Sequence, residues 1–396
     1  MYQKNFVFAA ACLGMLLFGV VFLSLGSVNN LLAERFGLDD LAIGTLTALL
    51  PLGILVGSLV FGPIVDRFGY RWMLVGASLI VGGALEGMAF ANSHTLVKWC
   101  VFAIGFGGGI LNGATNALAA DVSEGERGAK LSLLGVFFGI GALAMPSALA
   151  ALSHRYALDH IVAGIGALAL LPAIYCLVIA FPQPKLRSER MSLRNTLGLF
   201  RDPLLLFACL ALAIQSGMEG LSNDWMTRFF KRVLLSDTVA AERSAQLSLI
   251  ALTGAMVVTR FMLAGLLTRI GSRVVLLVSL AATLIGAAVL MAARGQSIGL
   301  ALTGPLLIGA GLAAAFPVVL GYIGDRYPQQ SGTAFSTIFV VALAGNMAIN
   351  KAFGYLAHEY GIQQFPRVLV GLLILSAIFL HLVNHHRTSS ELSDKT

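Results

Sequence analysis

Long apolar runs, separated by short segments of charged and turn residues, constrain this chain more than any other feature. Most runs reach or exceed the roughly 20 residues that a helix needs to cross a bilayer. Barrel strands would instead be about 10 residues long with alternating polarity. Charged residues make up only 11% of the chain and hydrophobic residues 58%, whereas soluble domains are about a quarter charged. The sequence therefore predicts an all-α integral membrane protein that lies in the lipid bilayer.

Twelve runs are candidate transmembrane helices, and the longest polar connector separates the sixth from the seventh. The predicted domains are an N-terminal six-helix bundle at 1–181, a cytoplasmic connector at 182–202, and a C-terminal six-helix bundle with a short cytoplasmic tail at 203–396. Lysine and arginine are more frequent on the side of the connector and both termini, which predicts that this side is cytoplasmic. The predicted spans are 6–32, 41–65, 72–92, 95–121, 129–153, 160–181, 203–228, 245–268, 273–293, 298–324, 331–357 and 364–384.

An internal repeat supports the division into halves, because residues of the fourth and fifth spans recur at a fixed offset of 204 positions. Matches of aspartate, histidine and tyrosine are more informative than glycine matches in a glycine-rich chain. Parallel repeats occur in transporters whose substrate site lies near the bilayer midplane. The pairs are Gly105 with Gly309, Gly107 with Gly311, Asp121 with Asp325, Gly128 with Gly332, Gly141 with Gly345, His154 with His358, and Tyr156 with Tyr360.

The turn between the second and third spans reads GPIVDRFGYRWML, from Gly62 to Leu74. It resembles the signature Gly-x-x-x-Asp-Arg-x-Gly-Arg-Arg of the major facilitator superfamily, except that Tyr70 replaces a basic residue. The resemblance implies two six-helix bundles, alternating access and a gating role for Asp66, Arg67 and Arg71. Asp66 could lie against the positive N-terminal end of the eleventh span, and an ordinary positive-inside turn is the alternative.

The fourth span resembles the pattern Gly-x-Gly-x-Leu-Glu-x-x-x-Asn of the fucose and glucose/galactose proton symporters within that superfamily. Gly107, Gly109, Leu111 and Asn116 match it, but Asn112 stands where those proteins have an acid implicated in proton coupling. Asn112 and Asn116 are four residues apart and share a helix face.

The seventh span contains the polar stretch QSGMEGLSNDW, and it resembles the Gly-x-Glu-x-x-x-x-x-Trp of the same symporters. Gln215, Glu219 and Asn223 share one face. An acid at this depth is costly unless it faces protein or water, so Glu219 is the first candidate for proton coupling. Trp225 could stack on a sugar ring or anchor the helix.

Other polar residues within the spans leave alternatives open. Glu86 is either a second coupling acid or paired with a neighbouring helix. Arg260 is either a structural partner or, with Lys351, part of an organic-anion site. Asn30 either lines the cavity or caps its helix.

These residues predict a secondary transporter that takes up a sugar or similar small polar solute with protons, because carboxamides donate and accept hydrogen bonds. The alternatives are transport of organic anions, export of amphipathic compounds, a uniporter if neither acid titrates and, remotely, a non-transporting receptor or scaffold. The predicted substrate-binding residues are Asn30, Asn112, Asn116, Gln215, Glu219, Asn223, Trp225, Asn346, Asn350 and Lys351; those for proton coupling are Glu219 and Glu86; those for gating are Asp66, Arg67 and Arg71.

Enzymatic function is not predicted, because His154 and His358 have no nucleophile or metal-ligand spacing around them. No cofactor or metal is expected, and the net charge of +7 lies in connectors rather than on a nucleic-acid-binding face. The predicted partners are a small solute and the proton. We expect a monomer in a bacterial cytoplasmic (inner) membrane.

Overall fold

The computed structural model describes residues 2–37, 40–152, 155–183, 202–230, 238–293 and 298–393, and this part of the chain is helical throughout, without strands. The helices are α1 (Lys4–Phe36), α2 (Asp40–Phe68), α3 (Tyr70–Ala89), α4 (His94–Val122), α5 (Arg127–Ala142), α6 (Ala144–Leu152), α7 (Leu158–Leu168), α8 (Leu170–Val178), α9 (Pro203–Phe229), α10 (Thr238–Leu266), α11 (Ser272–Ala292), α12 (Ile298–Leu312), α13 (Ala315–Arg326), α14 (Ser331–Tyr360), a short 3-10 helix (Ile362–Gln364) and α15 (Phe365–Ser393).

Twelve helical stretches in the described chain are long and apolar enough to cross a membrane. Their order matches the predicted spans, which confirms a multi-pass, all-α membrane protein. Three spans are each built from two helices rather than one: α5 with α6, α7 with α8, and α12 with α13.

Proline explains these three breaks. Pro146, Pro172 and Pro317 are each the third residue of the second helix of a pair. Proline has no N–H to donate to the carbonyl four residues earlier, and its ring clashes with that carbonyl. The first helix of each pair accordingly ends at the residue four positions before the proline, or one residue earlier. A proline does not always break a helix, since Pro51 and Pro63 lie within the continuous α2.

The chain divides into two compact units, which are Met1–Gly125 with Leu134–Ser192 and Gly324–Thr337, and Glu126–Leu133 with Leu193–Ile323 and Ile338–Thr396. In the first unit, α4 packs against α1, α2 and α3. In the second, α12 packs against α10 and α11, and α9 packs against α15. The predicted boundary at 182–202 stays a prediction, because residues 184–201 lie outside the described chain.

The sequence repeat corresponds to repeated packing within each unit. A Cβ added to Gly105 would meet the backbone of α2, and one added to Gly309 would meet the backbone of α10. A Cβ on Gly107 would meet α3, and one on Gly311 would meet α11. Small residues allow membrane helices to approach closely. The fourth and tenth spans therefore use matching glycines to hold matching neighbours.

Candidate functional site

Asp66, in the last turn of α2, lies against the N-terminal end of α14, which is one of the two possibilities that the sequence left open. Its carboxylate accepts hydrogen bonds from the backbone N–H of Gly332 at 3.1 Å and of Thr333 at 2.8 Å, and from the Thr333 hydroxyl at 2.6 Å. The first N–H groups of a helix have no partner within it and carry a partial positive charge. The side chain of Asp66 is buried. This contact joins residues of the first unit that are far apart in sequence.

A second carboxylate, that of Asp121, binds the same helix end and was not among the predicted site residues. It accepts a hydrogen bond from the Ser331 hydroxyl at 2.8 Å and another from the Tyr70 hydroxyl. Tyr70, which replaces the usual basic residue of the turn motif, thus contacts an acid as a neutral donor. The recurrence of Asp121 as Asp325 in the repeat was the only sequence signal for it.

The two arginines of the turn motif have different surroundings. Arg71 donates a hydrogen bond to the carbonyl of Leu177, in the last turn of α8. A cation at this position also interacts favourably with the negative end of the helix dipole. Arg67 is exposed, and its guanidinium lies 5.3 Å from the ring centre of Phe68. Neither arginine contacts α14 in any hydrogen bond or ion pair described for it, so Asp66 is the gating candidate with the strongest geometric support.

Glu219 and Arg260 form an ion pair within the membrane-spanning part of the second unit. Arg260 Nη2 lies 3.8 Å from Glu219 Oε1, and the two side chains are 11% and 21% exposed, respectively. The carbonyl of Arg260 accepts a hydrogen bond from the Ser132 hydroxyl at 2.6 Å, which ties α10 to α5. The sequence identified both charges but did not predict that they are partners.

Amide groups link α9 to α14 in the same unit. The amide nitrogen of Asn346 donates to the carbonyl of Ser216 at 2.9 Å, and that of Asn350 donates to the side-chain oxygen of Asn346 at 2.9 Å. The indole nitrogen of Trp225 donates to the side-chain oxygen of Asn350 at 3.2 Å. Together these hydrogen bonds form a continuous network between α9 and α14. The side-chain N–H groups that take part in it donate to protein acceptors.

The ring of Trp225 is also in contact with protein. It packs edge-on against Phe353, with ring centres 4.9 Å apart and planes at 85°. The guanidinium of Arg228 lies 5.2 Å from its ring centre. Of the two roles considered for Trp225, these contacts favour the anchor.

Gln215 and the amides of the fourth span make local bonds. Gln215 is buried, and its amide nitrogen donates to the carbonyl of Leu312 at 2.8 Å. Leu312 is the last residue of α12, so Gln215 supplies a partner at the break between α12 and α13. Asn116 donates to the backbone carbonyl of Asn112 at 2.8 Å and to its side-chain oxygen at 3.2 Å.

The remaining candidates are more scattered. Glu86 is partly buried on α3, close enough to α7 that a Cβ on Gly166 would lie 3.0 Å from its carboxylate. Asn223 is partly buried and Lys351 is exposed. The side chain of Asn30 lies outside the described part of the structure. No group of three or more potential metal ligands occurs among the described residues.

Comparison with known proteins gives several matches over most of the chain and one over about a quarter of it. The family model of the Major Facilitator Superfamily matches residues 8–349. A transporter of Sinorhizobium fredii, y4wD, is 24% identical over 363 residues, which are 91% of this chain and 93% of the relative. The 4-hydroxybenzoate transporter PcaK of Pseudomonas putida is 32% identical over 109 residues, and the match spans only 24% of that relative and 26% of this chain.

Two solved structures of different transport activity are similar to this chain to the same degree. The fucose:proton symporter FucP of E. coli has a TM-score of 0.74 at 18% identity, covering 94% of this chain and 98% of that one. The human organic anion transporter MFSD10 has a TM-score of 0.75 at 18% identity, covering 96% of this chain and 100% of that one. At such identities the similarity establishes the fold, and it does not distinguish a sugar from an anion.

Proposed function

Because the chain belongs to the Major Facilitator Superfamily and is therefore a transporter, we propose that it couples the uptake of a small polar solute to protons by alternating access. The observation that carries this proposal is the ion pair between Glu219 and Arg260 inside a membrane span. Charges in the hydrocarbon region are costly, and those present commonly belong to substrate paths or proton relays.

Glu219 is the group that we propose to bind the proton. It is the only charged residue in the stretch from Pro203 to Asn223, and among the described residues its carboxylate has one ionic partner, Arg260 at 3.8 Å. Protonation would convert it to a neutral acid in place. Glu86 is the second candidate, and it lies on α3 against α7.

The class of solute can be inferred from the polar side chains whose hydrogen-bond donors have no partner in the protein. A sugar was the first expectation, because carboxamides suit hydroxyl groups and the fold resembles that of a fucose:proton symporter. However, the amide donors of Gln215, Asn116, Asn346 and Asn350 already bond to protein. Arg260, by contrast, has a buried Nε for which the described residues offer no hydrogen-bond partner. This contrast supports an organic anion as the solute, the class named for MFSD10, and PcaK is named for 4-hydroxybenzoate.

Asp66 is proposed to stabilise one conformation in the transport cycle. Its three hydrogen bonds hold the end of α2 to the start of α14, on the side predicted to be cytoplasmic. A latch that joins α2 to α14 must break for that side to open. A gating role for Arg67 and Arg71 has less support, since Arg71 donates its hydrogen bond to α8 and not to α14.

Uptake into proteoliposomes tests the coupling. With an inward proton gradient, we expect accumulation of at least one solute from a panel of sugars and organic acids. Glu219→Gln should abolish the proton-driven accumulation while retaining solute exchange between the two sides, because glutamine mimics the protonated acid but cannot release a proton.

Asp224→Asn is the matched control. Asp224 is an exposed carboxylate five residues further along the same helix, and its loss should leave accumulation intact. If Glu219→Gln accumulates solute as well as the wild type, the assignment of Glu219 fails. Loss of accumulation in Glu86→Gln alone would transfer the role to Glu86. A chain that carries no solute would instead fit the receptor or scaffold alternative.

A further inference from the structure

The ion pair of Glu219 and Arg260 does not use all the hydrogen-bond donors of the Arg260 guanidinium. A charge-assisted hydrogen bond between a guanidinium and a carboxylate is about 2.7–2.9 Å long, but these two groups are 3.8 Å apart. A guanidinium has five N–H donors in a fixed fork that matches a carboxylate. The Nε of Arg260 is buried and without a hydrogen-bond partner among the described residues. Arg260 therefore retains donors that Glu219 does not use.

Few other charges lie on the membrane-spanning stretches of the helices that carry or neighbour this pair. Arg260 is the only charged residue between Leu247 and Leu266 on α10, and α12 has none along its length. On α15, no charged residue lies in the long stretch between Arg367 and His381. The nearest charges in sequence on α9 are Asp224 and Arg228, which are both exposed, as is Lys351 on α14. On α5, which contacts α10 through Ser132, the charged residues are Arg127 and Lys130 in the first turn of the helix. Among the described residues, Glu219 is the acid that lies within ion-pair distance of Arg260.

We infer that Arg260 binds the carboxylate of an organic monoanion and that Glu219 is an internal carboxylate which occupies the same guanidinium when no solute is bound. This inference rests on the proposed function, and it names the solute class for that site. One proton binds to the Glu219 carboxylate and makes it neutral. Arg260 then loses its counter-ion, and the carboxylate of the solute replaces it. Release on the other side reverses both steps, and no covalent bond to the solute forms or breaks.

The net charge of the site explains why the two binding events are coupled. The empty site is neutral, because the glutamate anion balances the arginine cation. The loaded site is neutral again, because protonated Glu219 has no charge and the solute anion balances Arg260. A site with only the proton has one positive charge, and a site with only the anion has one negative charge. Such unbalanced charges are costly within the membrane, so proton and anion are expected to cross together in a 1:1 ratio.

Electrical behaviour separates this mechanism from sugar transport at the same site. Symport of one proton with one monoanion moves no net charge, so a membrane potential should not change its rate. A neutral sugar carried with the same proton would leave Arg260 unbalanced and move one positive charge per cycle. The prediction of electroneutral uptake therefore belongs to the anion mechanism alone.

Binding to the purified full-length chain is the first test. The probes are three carboxylates (benzoate, lactate and gluconate) and two matched neutral amides (benzamide and lactamide), with thermal stabilisation as the readout. We expect at least one carboxylate to stabilise the wild type more at pH 6 than at pH 8, and the amides to have no effect. In Glu219→Gln, affinity for that carboxylate should be about tenfold higher than in the wild type at pH 8 and independent of pH.

The counterpart variants remove the guanidinium. Arg260→Gln should abolish stabilisation by the carboxylate, and Arg260→Lys should recover only part of it, because lysine lacks the planar fork. The double variant Glu219→Gln/Arg260→Gln keeps the site uncharged. It therefore tests carboxylate binding without the guanidinium if Arg260→Gln alone does not fold. Carboxylate binding that persists in this double variant, or stabilisation by no carboxylate in the wild type, would overturn the inference.

Transport under a controlled potential is the second test. Proteoliposomes with valinomycin and set potassium gradients should take up the bound carboxylate at a rate that responds to the pH gradient and not to the potential. Proton-driven uptake of a sugar with an inward positive current would contradict the anion site and leave the proposed proton coupling standing. Proton-driven accumulation that persists in Glu219→Gln would instead refute the coupling itself.

Discussion

Trp225 is held at both its ring and its indole nitrogen. The nitrogen donates to Asn350 at 3.2 Å, and the ring packs against Phe353. Trp225→Phe keeps an aromatic ring but removes this hydrogen bond, which should cost about 0.5–1.5 kcal/mol of stability. We expect a lower thermal unfolding temperature in detergent and an unchanged KM for transport.

Trp99→Phe provides the comparison for that measurement. Trp99 is 67% exposed, so its replacement should have a smaller effect on the unfolding temperature. A KM that rises tenfold in Trp225→Phe, with stability unchanged, would mean that the tryptophan binds solute instead.

The sequence could limit the roles of individual residues but could not choose between them. It identified Glu219, Arg260 and the amides as polar groups within membrane spans, because such residues are rare in apolar runs. It could not pair Glu219 with Arg260, or Trp225 with Asn350, because these partners lie on different helices. Helical spacing shows which residues share a face, and it does not show which neighbouring helix that face meets.

The glycines of the repeat carry a prediction about helix packing. A Cβ on Gly105 would lie against the backbone of α2, and one on Gly309 against the backbone of α10. Because backbone cannot move aside as a flexible side chain can, Gly105→Ala and Gly309→Ala should each destabilise the fold by about 1–3 kcal/mol. Thermal unfolding of the purified variants measures this cost.

Two other helical glycines are suited as controls. Gly83 on α3 and Gly254 on α10 have no neighbouring atom within 4 Å of an added Cβ. Alanine should be neutral or slightly stabilising at these positions, since it favours the helix more than glycine does. Equal effects at all four positions would show that helix propensity, and not close packing, determines the result.

Helix order was more predictable than helix continuity. The lengths and polarity of the apolar runs predicted twelve spans, and the family match and solved structures of the same fold confirm that architecture. The breaks before Pro146, Pro172 and Pro317 were not predicted. Pro51 and Pro63 lie in an unbroken helix, so a proline alone does not determine where a span divides. The carbonyl groups at the end of the first helix of a pair need partners, as Gln215 provides for Leu312, and such partners are a tertiary property.

For the molecule as a whole, the contact between Asp66 and α14 predicts a shift in conformation. Hydrogen bonds to a charged group contribute about 1.5–3 kcal/mol, and 1.4 kcal/mol corresponds to a factor of ten in an equilibrium. Asp66→Asn removes the charge and places an amide N–H₂ near the N–H groups of Gly332 and Thr333. The population in which α2 and α14 are separated should therefore rise about tenfold or more.

A cysteine at position 58 would report that separation. Ser58 is fully buried, and its carbonyl accepts a hydrogen bond from Ser336 on α14, so Ser58→Cys should react with a maleimide only when α2 and α14 part. With the four native cysteines replaced by alanine, labelling should be about tenfold faster in the Asp66→Asn background. Glu124→Gln, which removes an exposed carboxylate of the same unit, should leave the rate unchanged. Equal labelling rates with and without Asp66 would mean that its hydrogen bonds to α14 do not govern opening on that side.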